Sequence, residues 1–219
     1  MNSSKYLLPA ACGFAITLLS SLSQAQLSPE ITTIQTQWAK VSYQTPEDER
    51  GDAMKVLVER CDSLFPEQTR NAEALIWCGI VRSTYAGMAS PFSAMKYAKG
   101  ARSDLESAID IDDQALSGSA YTSLGTLYFK VPGWPVGFGS KDKARDYLER
   151  GLAINETGID SNYFYGEFLF EQGELEKART HLVQASNATP RADRPVADEG
   201  RQAEIALLLK KIDAKLDDK

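Results

Sequence analysis

The chain has 219 residues, 43% hydrophobic and 25% charged, with 15 Gly and 9 Pro, which is globular composition and too poor in Pro and Gly for a disordered or collagen-like protein. Its 30 acidic residues against 24 Lys and Arg give a net charge of −6, a balance that argues against nucleic acid as a partner. A single histidine, His181, excludes His-rich zinc sites and leaves little room for histidine-centred acid–base chemistry.

Residues 1–25 read as a secretory leader. MNSSK supplies the free amine and Lys5, Tyr6–Leu22 is almost uninterrupted apolar sequence, and Ser23-Gln24-Ala25 has the small-x-small form that places cleavage after Ala25. A retained anchor is the alternative, although the run Tyr6–Leu22 contains Pro9 and Gly13 and lies at the short limit for crossing a bilayer. Cys12 fits a lipidated cysteine poorly, because Pro9-Ala10-Ala11 lacks the usual Leu three places ahead of it. The expectation is export to the periplasm, a single domain over 26–219, and no further membrane span.

Two cysteines remain beyond the leader, Cys61 and Cys78, in a chain expected to enter an oxidising compartment. The midpoint between them falls inside the turn Pro66-Glu67-Gln68-Thr69-Arg70, so a helical hairpin could set them facing one another. A disulfide is expected, with two buried free thiols as the alternative.

Helix starts are punctuated by Ser28-Pro29-Glu30, Thr45-Pro46-Glu47-Asp48 and Ser90-Pro91, each with a capping hydroxyl ahead of a proline. Apolar residues then recur every three or four places, as in 54–58 and 105–109, and no strand pattern competes. Nine helices are predicted, near 29–44, 46–65, 71–89, 91–111, 116–130, 141–154, 160–172, 174–188 and 196–216.

The helices carry an internal period. Asn162-x2-Tyr165-Gly166-x2-Leu169 is followed by Gly173, Ala178, Leu182, Ala185 and Pro190. One unit earlier come Leu124-Gly125-x2-Tyr128 and Ala144-x3-Leu148-x2-Gly151, so that Ala144 and Ala178 hold the same place in consecutive units. Gly79 with Ala101-x3-Leu105-x2-Ala108 gives a third copy, and Ala53-x3-Leu57 half of another. This spacing resembles the tetratricopeptide repeat, W-x2-L-G-x2-Y followed by A-x3-F-x2-A and a closing Pro, with Asn162 where Trp is usual. The interval from Ala144 to Ala178 is also that family's period. The resemblance covers about residues 50–210 and implies an all-α fold of antiparallel helical hairpins stacked in a right-handed superhelix. Gly200 follows Ala178 at the interval by which Gly166 follows Ala144, so the last helix reads as a unit's first helix serving as a cap.

Two apolar inserts interrupt the period. Gly125 and Ala144 stand farther apart than Gly166 and Ala178, and the excess falls in the uncharged stretch 131–139, which holds Trp134 and Phe138. These two residues are candidates either for cover over a hairpin core or for the wall of a ligand pocket. The second insert, between Gly79 and Ala101, contains Tyr85, Met88 and Phe92 and sits at the same point of its unit, so both inserts should emerge on one face and meet. Together they resemble the secreted helical component associated with TRAP-type solute transport systems.

In tetratricopeptide proteins the first helix of each unit lines a concave groove. The resemblance implies that Thr122, Thr126, Phe129 and Lys130 face it from one unit, Tyr163, Glu167, Phe170 and Glu171 from the next, and Arg201 from the last helix. The Lys and Asn set that clamps a peptide carboxylate in chaperone-binding members is missing. The function expected is a scaffold for another protein or peptide, with a small apolar ligand held between inserts and groove as the alternative.

No catalytic constellation, cofactor or metal is expected. Asp110-Ile111-Asp112-Asp113 lacks the remaining ligands and the Gly of a calcium loop and reads as solvated charge at a repeat's end. Gly139-Ser140-Lys141 reverses the order a phosphate loop requires. His181 has no nucleophile at motif spacing, and the sequons at Asn155 and Asn187 matter only in a host with an endoplasmic reticulum.

Overall fold

A computed structural model describes residues 27–66 and 71–218, and every regular element among them is an α-helix. In chain order these are α1 (Pro29–Gln44), α2 (Glu47–Leu64), α3 (Ala72–Met88), α4 (Pro91–Ile111), α5 (Ala115–Lys130), α6 (Lys141–Ile154), α7 (Ile159–Glu171), α8 (Leu175–Ser186) and α9 (Pro195–Asp217). All nine predicted helices are present, with ends within two residues of the expected ones. The leader at 1–25 and turn residues 67–70 lie outside the described residues.

The capping pattern is only partly as expected. Ser28 Oγ accepts from the Ile31 amide at 3.2 Å, but Ser90 Oγ lies 3.0 Å from Ser93 Oγ and caps no amide. Thr45 ends α1 instead of starting α2, because its hydroxyl turns back to donate to the Lys40 carbonyl at 3.3 Å, and Pro46 takes the cap position. Asn71 and Ser140 cap α3 and α6 through the amides of Ala74 and Lys143, at 2.8 and 3.3 Å.

Three hairpins, α3–α4, α5–α6 and α7–α8, repeat one contact. The Cβ position at Gly79 falls 2.8 Å from Leu105 Cγ, at Gly125 2.7 Å from Leu148 Cγ, and at Gly166 2.9 Å from Leu182 Cγ. Ala101, Ala144 and Ala178, all fully buried, stand one turn before those leucines. The small residue on the first helix thus admits the leucine of the second, the periodic pair seen in the sequence. Asn162, fully buried, replaces the missing indole with hydrogen bonds. Its Nδ2 donates to the carbonyls of Glu156 and Gly158 at 2.8 and 3.0 Å, and its Oδ1 lies 3.0 Å from His181 Nδ1, so His181 is a packing residue. Burial holds the imidazole pKa below its ordinary value.

These contacts predict a contrast between two glycines. Gly125→Ala should lower stability by about 1–3 kcal/mol, the usual cost of overpacking, since its Cβ also meets the backbone of Leu148 at 2.9 Å and of Ala144 at 3.0 Å. Gly51→Ala, in α2 with nothing within 4 Å, should instead gain helix propensity. Urea midpoints that move together would refute the packing account.

Cys61 and Cys78 are joined, with Cα atoms 5.7 Å apart, tying α2 to α3 within a core that includes Met54, Trp77 and Val81. Arg82 of α3 is held between Asp62 of α2 and Asp104 of α4. At the start of α5, Leu116, Ser117 and Gly118 take φ values of 49, 54 and 71°, a left-handed turn that costs about 1–2 kcal/mol at each non-glycine. At Gly118 a side chain would also press on Ile154, 3.0 Å away.

The ends of the stack meet. α1 packs against α9, and a Cβ at Gly200 would collide with the Tyr43 ring. The last helix, expected as a terminal cap, is itself covered by the first. The helix stack therefore closes around a concave basin.

Candidate functional site

The basin has a volume of about 1140 Å³ and is walled by the alternate helices α1, α3, α5, α7 and α9 with the turns that lead into them. Its lining is rich in hydroxyls. Thr32 comes from α1, Ser83 and Thr84 from α3, Ser119, Thr122, Ser123 and Thr126 from α5, and Ser161 from α7. Ser117, in the left-handed turn, adds another. Two indoles join Leu27, Ile80, Leu116, Leu127, Ile159 and Phe164 in its apolar part: Trp38 and Trp77 meet edge to face with centroids 6.0 Å apart, and Trp38 Nε1 donates to Thr84 Oγ1 at 2.9 Å.

One end of the basin is charged. Asp160 at the start of α7 accepts from Arg201 Nε at 3.0 Å and Arg191 Nη1 at 2.7 Å, with Arg194 Nη1 at 3.7 Å. Arg191 also reaches Asp198 through Nε at 2.8 Å, while Arg201 pairs with Glu204 at 2.5 Å. Burial alone would raise the Asp160 pKa, but Arg201, Arg191 and Arg194 outweigh it and hold the carboxyl well below the usual carboxylate range. Burial lifts Tyr43, beside Glu204, to about 12 and also raises Tyr163, so both hydroxyls stay protonated at neutral pH. Arg194 lies over the Trp77 ring at 5.2 Å, and burial lowers its pKa. Arg194 Nε and Trp77 Nε1 are both buried and have no acceptor among the described residues, although Trp77 is only 3% exposed.

The residues expected in the groove divide. Thr122, Thr126, Lys130 and Arg201 line the basin. Tyr163 and Phe164 lie under the Arg201 guanidinium at 4.3 and 4.4 Å, and Glu167 pairs with Lys130 at 2.7 Å. Phe129 packs edge-on against Phe168, Phe170 lies near Lys215 of α9, and Glu171 is exposed beyond the basin. Tyr163, Glu167, Phe129, Phe170 and Glu171 are thus not lining residues, since Arg201 and Lys215 of α9 lie over Tyr163 and Phe170, and Phe129 of α5 is turned onto Phe168, whereas Asp160 and Phe164 face the basin.

Trp134 and Phe138 also lie outside it, and they part company. Phe138 packs edge-on against Tyr128 at 5.4 Å and beneath Arg102 at 4.5 Å, whereas Trp134 is 90% exposed. The other insert is not a loop: its extra residues lengthen α3 and α4, and Tyr85 packs on Tyr97 at 4.6 Å. The inserts do meet, since a Cβ at Gly137 would lie 2.8 Å from Met95 Cε. The acidic run is a local cap: Asp112 Oδ1 accepts from the Gln114 amide at 3.0 Å and Asp113 Oδ1 from its side chain at 2.9 Å. No group of His, Cys, Asp or Glu among the described residues is placed to hold a metal ion, and none of their helices is long and apolar enough to cross a membrane.

The structure is similar to the crystal structure of a thermophilic TPR protein from Thermus thermophilus, with a TM-score of 0.54 at 17% sequence identity, over 75% of this chain and 84% of that one. The fold is tetratricopeptide-like. No family model and no curated protein matches the sequence. Within the tetratricopeptide-like frame, α3, α5 and α7 are first helices whose concave side forms the basin, and α9 is an unpaired first helix partnered by α1.

The basin residues missed by sequence reasoning are chiefly Trp38, Trp77, Asp160, Arg191 and Arg194. The three arginines and two aspartates of 191–201 signal a buried ion cluster, but nothing in the spacing links them to Asp160, which lies a full hairpin upstream.

Proposed function

We propose that this chain is a non-catalytic binding scaffold, exported to the periplasm, whose concave basin takes a polar segment of a partner protein. The observation that carries the reading is the hydroxyl lining of the concave basin, a surface suited to backbone carbonyls and polar side chains. The leader pattern and the Cys61–Cys78 pair support export, since disulfides persist in oxidising compartments.

The closing of the basin by α1 and α9 favours a second reading, a carrier of a small molecule in the manner of the TRAP-associated helical components. The hydroxyls and arginines favour a polar solute over the apolar ligand suggested by the inserts. Native mass spectrometry of the exported protein separates the two readings: a retained small molecule supports the carrier, and a stoichiometric polypeptide supports the scaffold.

The working face is tested with a photo-crosslinking amino acid at Ser123, inside the basin, or at Lys177, exposed on α8. Ser123 should capture the partner in the native host and Lys177 should not, while Ser123→Trp should abolish copurification with helical circular dichroism unchanged. Capture from Lys177 alone would place the interaction on the convex side.

A further inference from the structure

The most exposed apolar side chains gather at one edge of the molecule, away from the basin. Among the described residues Phe92 is 100%, Trp134 90% and Val136 70% exposed, and Met88 at the end of α3 is also exposed. The 131–139 loop is seated along the first half of α4, where Gly137 abuts Met95 and Phe138 lies under Arg102. Met95 stands one turn beyond Phe92 on α4. The loop is closed on itself by the Gly137 amide donating to the Gly133 carbonyl at 3.1 Å and the Gly139 amide to the Pro132 carbonyl at 2.9 Å. A side chain at Gly139 would collide with Val131. Trp134 and Val136 are therefore held outward by a tight turn anchored through Phe138.

Basic residues flank this tip along the chain. Segments 88–103 and 131–143 carry five basic residues, Lys96, Lys99, Arg102, Lys141 and Lys143, against the single acid Asp142, in a chain whose net charge is −6. On α4, Lys96 and Lys99 follow Phe92 by one and two helical turns and share its stripe, opposite the buried Ala98, Ala101 and Leu105. Lys96 also borders a cleft with Glu59 and Asp62 of α2, so Lys99, Lys141 and Lys143 supply the least compensated charge.

We propose that this edge docks on an anionic lipid bilayer, with Trp134, Phe92 and Val136 entering the headgroup region and the lysines meeting lipid phosphates. Projecting aromatic rings with long, flexible cationic stems suit a membrane interface, where indole and lysine both find an apolar and a polar side. The strongly acidic remainder of the chain is repelled by the same surface, so the local excess of positive charge orients the molecule with this edge down and the basin free.

The test is Trp134 emission from the full-length protein, obtained by subtracting the Trp134→Phe spectrum, on vesicles of equal parts phosphatidylcholine and phosphatidylglycerol. The emission should shift to the blue and be quenched by lipids brominated in their acyl chains, whatever else holds the protein to the vesicle. Partitioning of the Trp134 signal should fall about tenfold or more in Lys141→Gln/Lys143→Gln, taking each lysine's contribution near an anionic surface at its usual size. Trp134 that remains quenchable by acrylamide and untouched by bromolipid overturns the proposal and leaves the edge to a protein partner. Quenching that is equal on phosphatidylcholine alone and unaffected by the lysine changes overturns the requirement for anionic lipid.

Discussion

Arg201→Ala should cost about 3–5 kcal/mol, the range for removing one partner from a buried, hydrogen-bonded ion cluster. Arg201 is only 6% exposed, donates to Asp160 and Glu204, and covers the rings of Tyr163 and Phe164. It stands where α7, α9 and α1 meet, so its loss loosens the closure of the stack as well as a pair of charges. Arg201→Met separates the two effects, because it keeps the apolar stem and removes the cation, and should recover part of the loss. The same cluster predicts a pH dependence. The Asp160 pKa is depressed in the folded protein, so the unfolded chain binds that proton more tightly; the stabilisation is complete above about pH 4 and is lost as pH falls further toward the folded value. Arg201→Ala moves that carboxyl back toward its ordinary range, and the acid-side decline should be shallower in the variant. Urea unfolding between neutral and acidic pH measures both. A loss below about 1 kcal/mol with an unchanged acid limb would mean that the cluster behaves as an exposed surface network.

The second large effect is expected at the disulfide. Cys61→Ser/Cys78→Ser should lower stability by about 3 kcal/mol through the loop-closure entropy returned to the unfolded chain, given a sequence separation of 17. Arg60, Arg70 and Arg82 flank and divide the two cysteines, so trypsin places Cys61 and Cys78 on separate peptides. An unreduced digest of the protein purified without reductant should yield those peptides linked. Recovery of both as alkylated free thiols would refute the bridge and weaken the proposal of an oxidising compartment with it.

Much of the architecture was legible in the chain because it is local. Gly125 with Ala144 and Leu148, and Gly166 with Ala178 and Leu182, are pairs within one hairpin, and their spacing states directly which helices pack and where a side chain would not fit. The cysteine pair was legible for the same reason, being set by distance from a single turn. Asn162 was visible as a departure from the tetratricopeptide pattern, while its reason, a buried bridge between the α6–α7 turn and His181, was not.

The candidate site was less legible. Groove positions counted from each repeat glycine assume an open stack, and they serve for Thr122, Thr126 and Lys130 on α5. They miss at Phe129 of α5, which packs on Phe168, and on α7, where Arg201 of α9 covers Tyr163, Glu167 turns to Lys130, and the basin is bounded by Asp160 and Phe164. Trp134 and Phe138, equivalent as apolar residues of one uncharged loop, take opposite fates because only Phe138 is met by Tyr128 and Arg102.

The sequence by itself therefore determined the helices and their hairpin pairing and set Cys61 and Cys78 across one turn, since each follows from periodicity or from contacts within one hairpin. Only the tertiary structure decided that α1 closes on α9, that three arginines converge on Asp160, and that one aromatic of the 131–139 loop is buried while the other faces outward. Those outcomes join positions as remote in the chain as Tyr43 and Glu204, and depend on the small rotation accumulated from hairpin to hairpin, a quantity that no single window of sequence encodes.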